Sequence, residues 1–284
     1  MGAIVWDQVG ERTYETGTKK GVLYPQAANG TYPNGVPWNG LTSVSESPEG
    51  GDANDIYADD IKYLVLRGVE NYGGTIEAYS YPDEFEECDG SAQLMDGVTI
   101  GQQPRKTFGF SYVSTLGNDT EMDNHGYKIH LVYGASASPS SRQYQTINES
   151  PEPINFSWEF KTVPVNVTGH KPAANMVIDS TKFTTAAQKA RLKLLENTLY
   201  GTDAQEAVPA TYAETTDVVK NSNKTYYTRT GSSPNYTYTE FTGTAFADGT
   251  TYYEMVTPAQ DATTDTSPRL PLPDEVLSIL LGTT

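Results

Sequence analysis

The chain has 284 residues, with 36 acidic against 19 basic side chains and a formal charge of −17, long enough for one large β-domain or two smaller ones. The acidic excess argues against a conventional grip on nucleic-acid phosphate, and a single cysteine, Cys88, excludes an internal disulfide. High Tyr, Thr and Val with 25 Gly and 17 Pro favour strands and turns over helices.

Residues 1–7 show no basic region followed by an apolar one, and no window approaches the ~20 apolar residues of a membrane span. The expectation is a soluble, intracellular product. Asn29-Gly30, Asn34-Gly35 and Asn39-Gly40 then recur every five residues, which predicts a turn-dense entry segment. A short strand is expected at 41–46, followed by a polar stretch to Asp55. Strands at 61–67 and 75–81 flank Asn71-Tyr72-Gly73-Gly74, a pattern that predicts a hairpin. In the second, Ile76, Ala78 and Ser80 alternate with Glu77, Tyr79 and Tyr81, so one face can pack while the other meets water.

Charge is concentrated in this region. From Ser43 to Gly90 there are thirteen acidic residues against Lys62 and Arg67, or −11 of the −17. Further strands are predicted at 107–115, 127–133 and 154–162, the last with Phe156, Trp158 and Phe160 on one face. A helix is predicted from Thr185, whose spacing to Gln188 is that of a capping box. Its apolar side is read as Ala187, Ala190 and Leu194 with Leu192, Leu195 and Leu199, and Gly201 as its stop. Lys189, Arg191 and Lys193 decorate it.

Residues 203–265 hold 7 of the 20 tyrosines, and Thr225-Tyr226-Tyr227 is echoed by Thr251-Tyr252-Tyr253. This reads as a small β module or decorated loop. The Pro-rich tail is expected to run extended and then form one or two helical turns capped by Asp274.

No catalytic constellation emerges. The neighbours of Cys88, Glu86, Glu87 and Asp89, oppose thiolate formation. His125 and His130 lack the further ligands of a zinc shell, and Asp52-Ala53-Asn54-Asp55 lacks the glycine and final glutamate of a calcium loop. The carboxylates of 83–87 lie in one run rather than on two sides of a bond, as a glycosidase requires. No phosphate loop or nucleophile elbow is present, so neither enzymatic chemistry nor a cofactor is expected.

Several strings in order carry a resemblance: Trp38-Asn39-Gly40-Leu41-Thr42, Tyr57-Ala58-Asp59-Asp60, the stretch from Glu77 to Phe85, that from Gly126 to Gly134, and Ser150-Pro151-Glu152-Pro153. Together the chain resembles the major tail proteins of long-tailed bacteriophages, the subunits of the tail tube, over 22–200 and again over 268–281. The resemblance implies a β-sandwich or barrel with one packed helix, closing as hexameric rings that stack into a conduit for double-stranded DNA. It implies a virion protein, made in the host cytoplasm, whose partners are itself and the tape measure, tail terminator and distal tail proteins. The domains expected are 1–202 for the tube, 203–265 for an inserted module, and 266–284 for a tail returning to the tube.

On this reading Glu77, Asp83 and Glu84 are the candidates to face the lumen. Asp52, Asp55, Asp59 and Asp60 are the candidates to contact the next ring, because 45–60 matches in position the family's long inter-ring loop. The Tyr-rich module suggests the alternative, a carbohydrate-binding β-module of a phage or bacterial surface assembly.

Overall fold

The computed structural model describes residues 3–51, 53–147, 149 and 151–283. The chain divides into two compact units, Met1–Thr202 with Thr266–Thr284, and Asp203–Asp265. Strands take 43% of the chain and helices 12%, which makes the protein mainly β. No helix among the described residues is long and apolar enough to cross a membrane.

The first unit begins with β1 (Thr13–Pro25), β2 (Val36–Pro37), β3 (Leu41–Glu46), β4 (Glu49–Gly50), β5 (Asn54–Ala58), β6 (Ile61–Leu66), β7 (Glu70–Asn71) and β8 (Gly73–Ala78). It continues with a 3-10 turn (Asp83–Phe85), α1 (Glu86–Asp89), β9 (Ala92–Met95), β10 (Val98–Ile100), β11 (Phe108–Asn118), β12 (Met122–Ala137), β13 (Phe156–Thr162), β14 (Asn175–Asp179), α2 (Ala186–Tyr200) and α3 (Pro273–Leu281). One antiparallel sheet runs β2-β1-β11-β12-β13-β8-β3, with β14 also on β12.

Alternation along β1, β11 and β12, interrupted at bulges, gives this sheet two buried faces. Leu23, Phe108, Phe110, Tyr112 and Val132 point to one side, where Trp38, Ile76, Phe85, Trp158 and Phe160 complete an apolar core. Val22, Tyr24, Val113, Ile129, Leu131 and Tyr133 point to the other, against Leu192, Leu195 and Leu199 of α2 and Val276 and Ile279 of α3. Rings in the first core meet edge to face: Phe85 lies 5.1 Å from Trp158 and 5.5 Å from Phe108, a geometry worth about 0.5–1.5 kcal/mol per pair beyond area burial.

The entry segment is only partly made of turns. Gly30 and Gly40 take φ of 84° and 76°, as Asn-Gly turns require. Gly35 does not turn. A Cβ there would stand 2.7 Å from the Tyr24 ring, so glycine admits close packing at that point.

Helix α2 starts on the capping box of Thr185 and Gln188 and ends at Gly201, whose N–H donates to Asn197 O. Its buried stripe is Leu192, Leu195 and Leu199. Ala187, Ala190 and Leu194 face outward, contrary to the expected apolar side, because Leu194 lies one residue off the 192–195–199 row at ~100° per residue. The tail runs back between the 32–35 segment and α2: Gly35 N donates to Pro268 O and Arg269 N to Thr198 O. The Tyr24 hydroxyl, 2.8 Å from Leu199 O, ties β1 to the end of α2. Asp274 does not cap α3, whose N-cap is Leu272. Its carboxylate instead accepts from the Thr168 N–H and hydroxyl.

The second unit is a four-stranded antiparallel sheet in the order β15-β18-β16-β17, from β15 (Thr211–Glu214), β16 (Tyr227–Ser232), β17 (Asn235–Glu240) and β18 (Tyr252–Thr257). The Thr-Tyr-Tyr echo has a structural meaning, since its two copies lie on paired strands with Tyr227 opposite Tyr253 and Thr228 opposite Tyr252.

Leu195→Ala removes a fully buried side chain between β12 and α3 and is expected to cost about 2–5 kcal/mol. Leu194→Ala, on the outward face, is expected to stay within about 0.5 kcal/mol. Urea unfolding of the full chain checks both, and equal losses would contradict this orientation of α2.

Candidate assembly surface

β3 and β8 pair from Leu41 opposite Ala78 to Glu46 opposite Gly74. Beyond the body the two segments stay together, β4 with β7 and β5 with β6. They form one two-stranded arm with Asp59 and Asp60 at its tip. Both tip residues take positive φ, 50° and 61°, the mirror-image turn that a two-residue hairpin connection favours.

The expected hairpin of 61–67 with 75–81 is therefore absent. β6 pairs with β5, and β8 lies between β3 and β13. Gly73 and Gly74, read as a turn, are strand residues. A Cβ on Gly74 would lie 2.2 Å from Ser45 O, and one on Gly73 2.9 Å from Phe160 O. Their job is to let three backbones approach.

Every residue of β6 is exposed, and Tyr57, Ile61, Tyr63, Leu66 and Val69 are each more than half exposed. Isolated surface apolar residues are ordinary, but a contiguous set on a projecting hairpin marks a contact surface. The arm also leaves its outer strand edges open, which invites pairing with another chain. Asp55 is held by Lys62 at 2.7 Å. Asp59 and Asp60 form no ion pair among the described residues, and Asp52 lies outside those residues.

At the root of the arm is a polar clamp that links four strands. Glu46, the last residue of β3, accepts from the Tyr112 hydroxyl of β11 at 2.6 Å and lies 3.6 Å from His130 Nδ1 of β12. The imidazole stacks on the Tyr112 ring at 4.5 Å and 4°. Its Nε2 is 2.9 Å from Ser114 Oγ, and Ser114 in turn donates to Glu15 of β1, which also holds Lys128. His130 and the Tyr112 hydroxyl keep the Glu46 carboxyl down at about 2, against the opposing effect of partial burial.

The acidic segment after β8 is anchored through its apolar members. Phe85 and Cys88 are fully buried, which turns Asp83, Glu84, Glu86 and Glu87 toward a cleft of about 900 Å³ shared with Gln26 and Lys106. Arg142 pairs with Asp89 and lies over the Tyr81 and Phe156 rings, pinning the segment to the stretch that follows β12. Burial pushes the Cys88 thiol up to about 12, with Glu87 and Asp89 adding to it and Lys106 opposing. The acidic neighbours are thus the smaller cause.

Glu77 is placed apart from Asp83 and Glu84. It sits in β8, accepts from Ser43 Oγ at 3.0 Å, and lines a separate pocket of about 590 Å³ with Ser141, Gln143 and Asn155. Asp55, Asp59 and Asp60 are grouped on the arm. No protein-family model and no curated protein matches the chain. The clamp residues escaped the sequence reading because Glu15, Glu46, Tyr112 and His130 lie far apart in the chain and carry no local pattern.

A carboxyl held low in the folded state contributes stability above its unfolded value of about 4.3 and loses it as pH falls toward the folded value. Glu46→Gln is therefore expected to lower the urea midpoint at pH 7 and to flatten its decline from about pH 5 to pH 3. Wild type and variant declining in parallel over that range would show that the clamp is not coupled to stability.

Proposed function

We propose that this chain is a structural, self-assembling subunit of the tail-tube type, a β-sandwich whose copies form stacked, six-membered rings around a DNA conduit. The observation that carries the reading is the arm. It is a long hairpin with exposed apolar residues along it, and among the described residues nothing covers these side chains. At about 3.3 Å per residue the thirteen residues from Ser47 to Asp59 span at most roughly 40 Å, enough to reach a neighbouring copy. A hairpin of two strands is marginal alone in water, so burial against another copy is what would stabilise it.

The resemblance over 22–200 supports the same reading. Under it the virion is the site of action, and the tape measure, tail terminator and distal tail proteins are the partners. No covalent step is involved. Packing would do the work, with Glu77, Asp83 and Glu84 toward the lumen and Asp52, Asp55, Asp59 and Asp60 toward the next ring. Carboxylates along the conduit would keep DNA from adhering, acting over a Debye length of about 8 Å at physiological salt.

The carbohydrate-binding alternative rests on the second unit and draws less support. Its ring faces are largely occupied: Tyr212 stacks on Tyr238 at 4.0 Å, and Arg229 covers Tyr236 at 4.3 Å and Tyr253 at 4.8 Å.

Replacing 49–71 with a two-residue turn is expected to leave a folded body and abolish rings and tubes, as seen by negative-stain microscopy and sedimentation. Tubes formed without the arm would overturn its role. Lys at 77, 83 and 84 together is expected to leave tubes intact and slow DNA ejection, followed by the fluorescence of released DNA. Unchanged ejection would remove the electrostatic part of the reading.

A further inference from the structure

The first unit contains a second feature of opposite charge to the arm. Lys19 of β1 and Lys189 and Lys193 of α2 converge on a cleft of about 450 Å³, with Tyr127 and Leu192 in its wall. In a chain of charge −17 such a concentration of cations is unusual. Two carboxylates share the cleft against three ammonium groups, which leaves it positive by one charge. Glu196 accepts from the Tyr127 hydroxyl and pairs with Lys193 at 3.4 Å, and Asp123 accepts from the Tyr14 hydroxyl at 2.9 Å. Lys19 and Lys189 form no ion pair among the described residues.

We infer that this cleft receives the Asp59–Asp60 tip of the arm from a second copy of the chain. The inference rests on the tube reading and names the surface that the arm meets. Two unpaired carboxylates at the end of a narrow hairpin match two unpaired ammonium groups in a cleft. Within one chain the partners belong to different layers. β3 and β8 pack on the face of Phe110 and Trp158, whereas α2 packs on the face of Ile129 and Leu131. The contact is then head to tail between copies, the kind that closes rings or extends a stack without limit. Ion pairs at a wet surface add little affinity each. Their effect is to select register and raise the rate of encounter, while apolar burial along the arm holds the copies together.

A charge swap tests it. Asp59→Lys with Asp60→Lys, and separately Lys19→Glu with Lys189→Glu, are each expected to raise the concentration needed for assembly by about tenfold or more, since like charges brought together at an interface are strongly disfavoured. All four positions are on the surface, and thermal melts confirm folding. The neutral pair Lys19→Gln with Lys189→Gln gives a smaller increase. The protein carrying both reversals is expected to assemble near the wild-type concentration. Wild-type tubes with no recovery in the combined variant, or with no effect of the cleft reversal, would overturn the docking and leave the tube reading standing. Wild type that stays monomeric at high concentration would overturn both.

Discussion

Burial of β1, β11 and β12 on both faces is the constraint on which the first unit depends. Where these strands are covered on both sides they carry large side chains pointing both ways: Leu23 and Tyr24, Phe110 and Val113, Leu131 and Val132 are all buried. Each face then demands its own cover. One side takes β3, β8, β13 and the Phe85 segment, the other takes α2, α3 and the returning tail. The order of the chain follows from this demand. The tail comes back past Tyr32, to whose carbonyl Leu270 N donates, and Tyr133 reaches Pro271 O at 3.0 Å, because without α3 the second core would be open to water.

The acidic excess acquires its meaning from that framework. Carboxylates cluster where apolar anchors turn them outward, as at Phe85 and Cys88, and along an arm that leaves the body altogether. The exception is Glu46, taken into the clamp with Tyr112 and His130. It fixes where the arm leaves the body, so one low carboxyl at the root keeps the hairpin's direction coupled to the sheet.

The second unit is built differently. Within the unit, among the described residues, its single sheet carries no second layer of strands or helices, and its tyrosines cover it themselves. Tyr226 and Tyr252 sit with Phe241 and Phe246 on one side. Tyr212, Tyr238 and Tyr253 pack with Arg229 on the other. A tyrosine-rich composition suits so thin a module, since each ring contributes a large apolar area and its hydroxyl can still find a partner, as Tyr226 does in Asp217 and Tyr253 in Glu214.

By itself the sequence determined what depends on local period and local chemistry. Alternation marked the strand expected at 154–162, which is seen as β13, the Thr185–Gln188 spacing marked the start of α2, and the change of composition after Gly201 coincides with the division into two units. Only the tertiary structure decided which strands pair and which helical stripe is buried. Ile61 and its neighbours look like core by hydrophobicity, yet they project on an arm, because Gly73 and Gly74 allow β8 to sit between β3 and β13 rather than fold back on 61–67. The Glu46 clamp and the lysine cleft arise in the same way, from residues brought together across the sheet. Pairing is set by packing between distant segments, and no short window of sequence contains that energy.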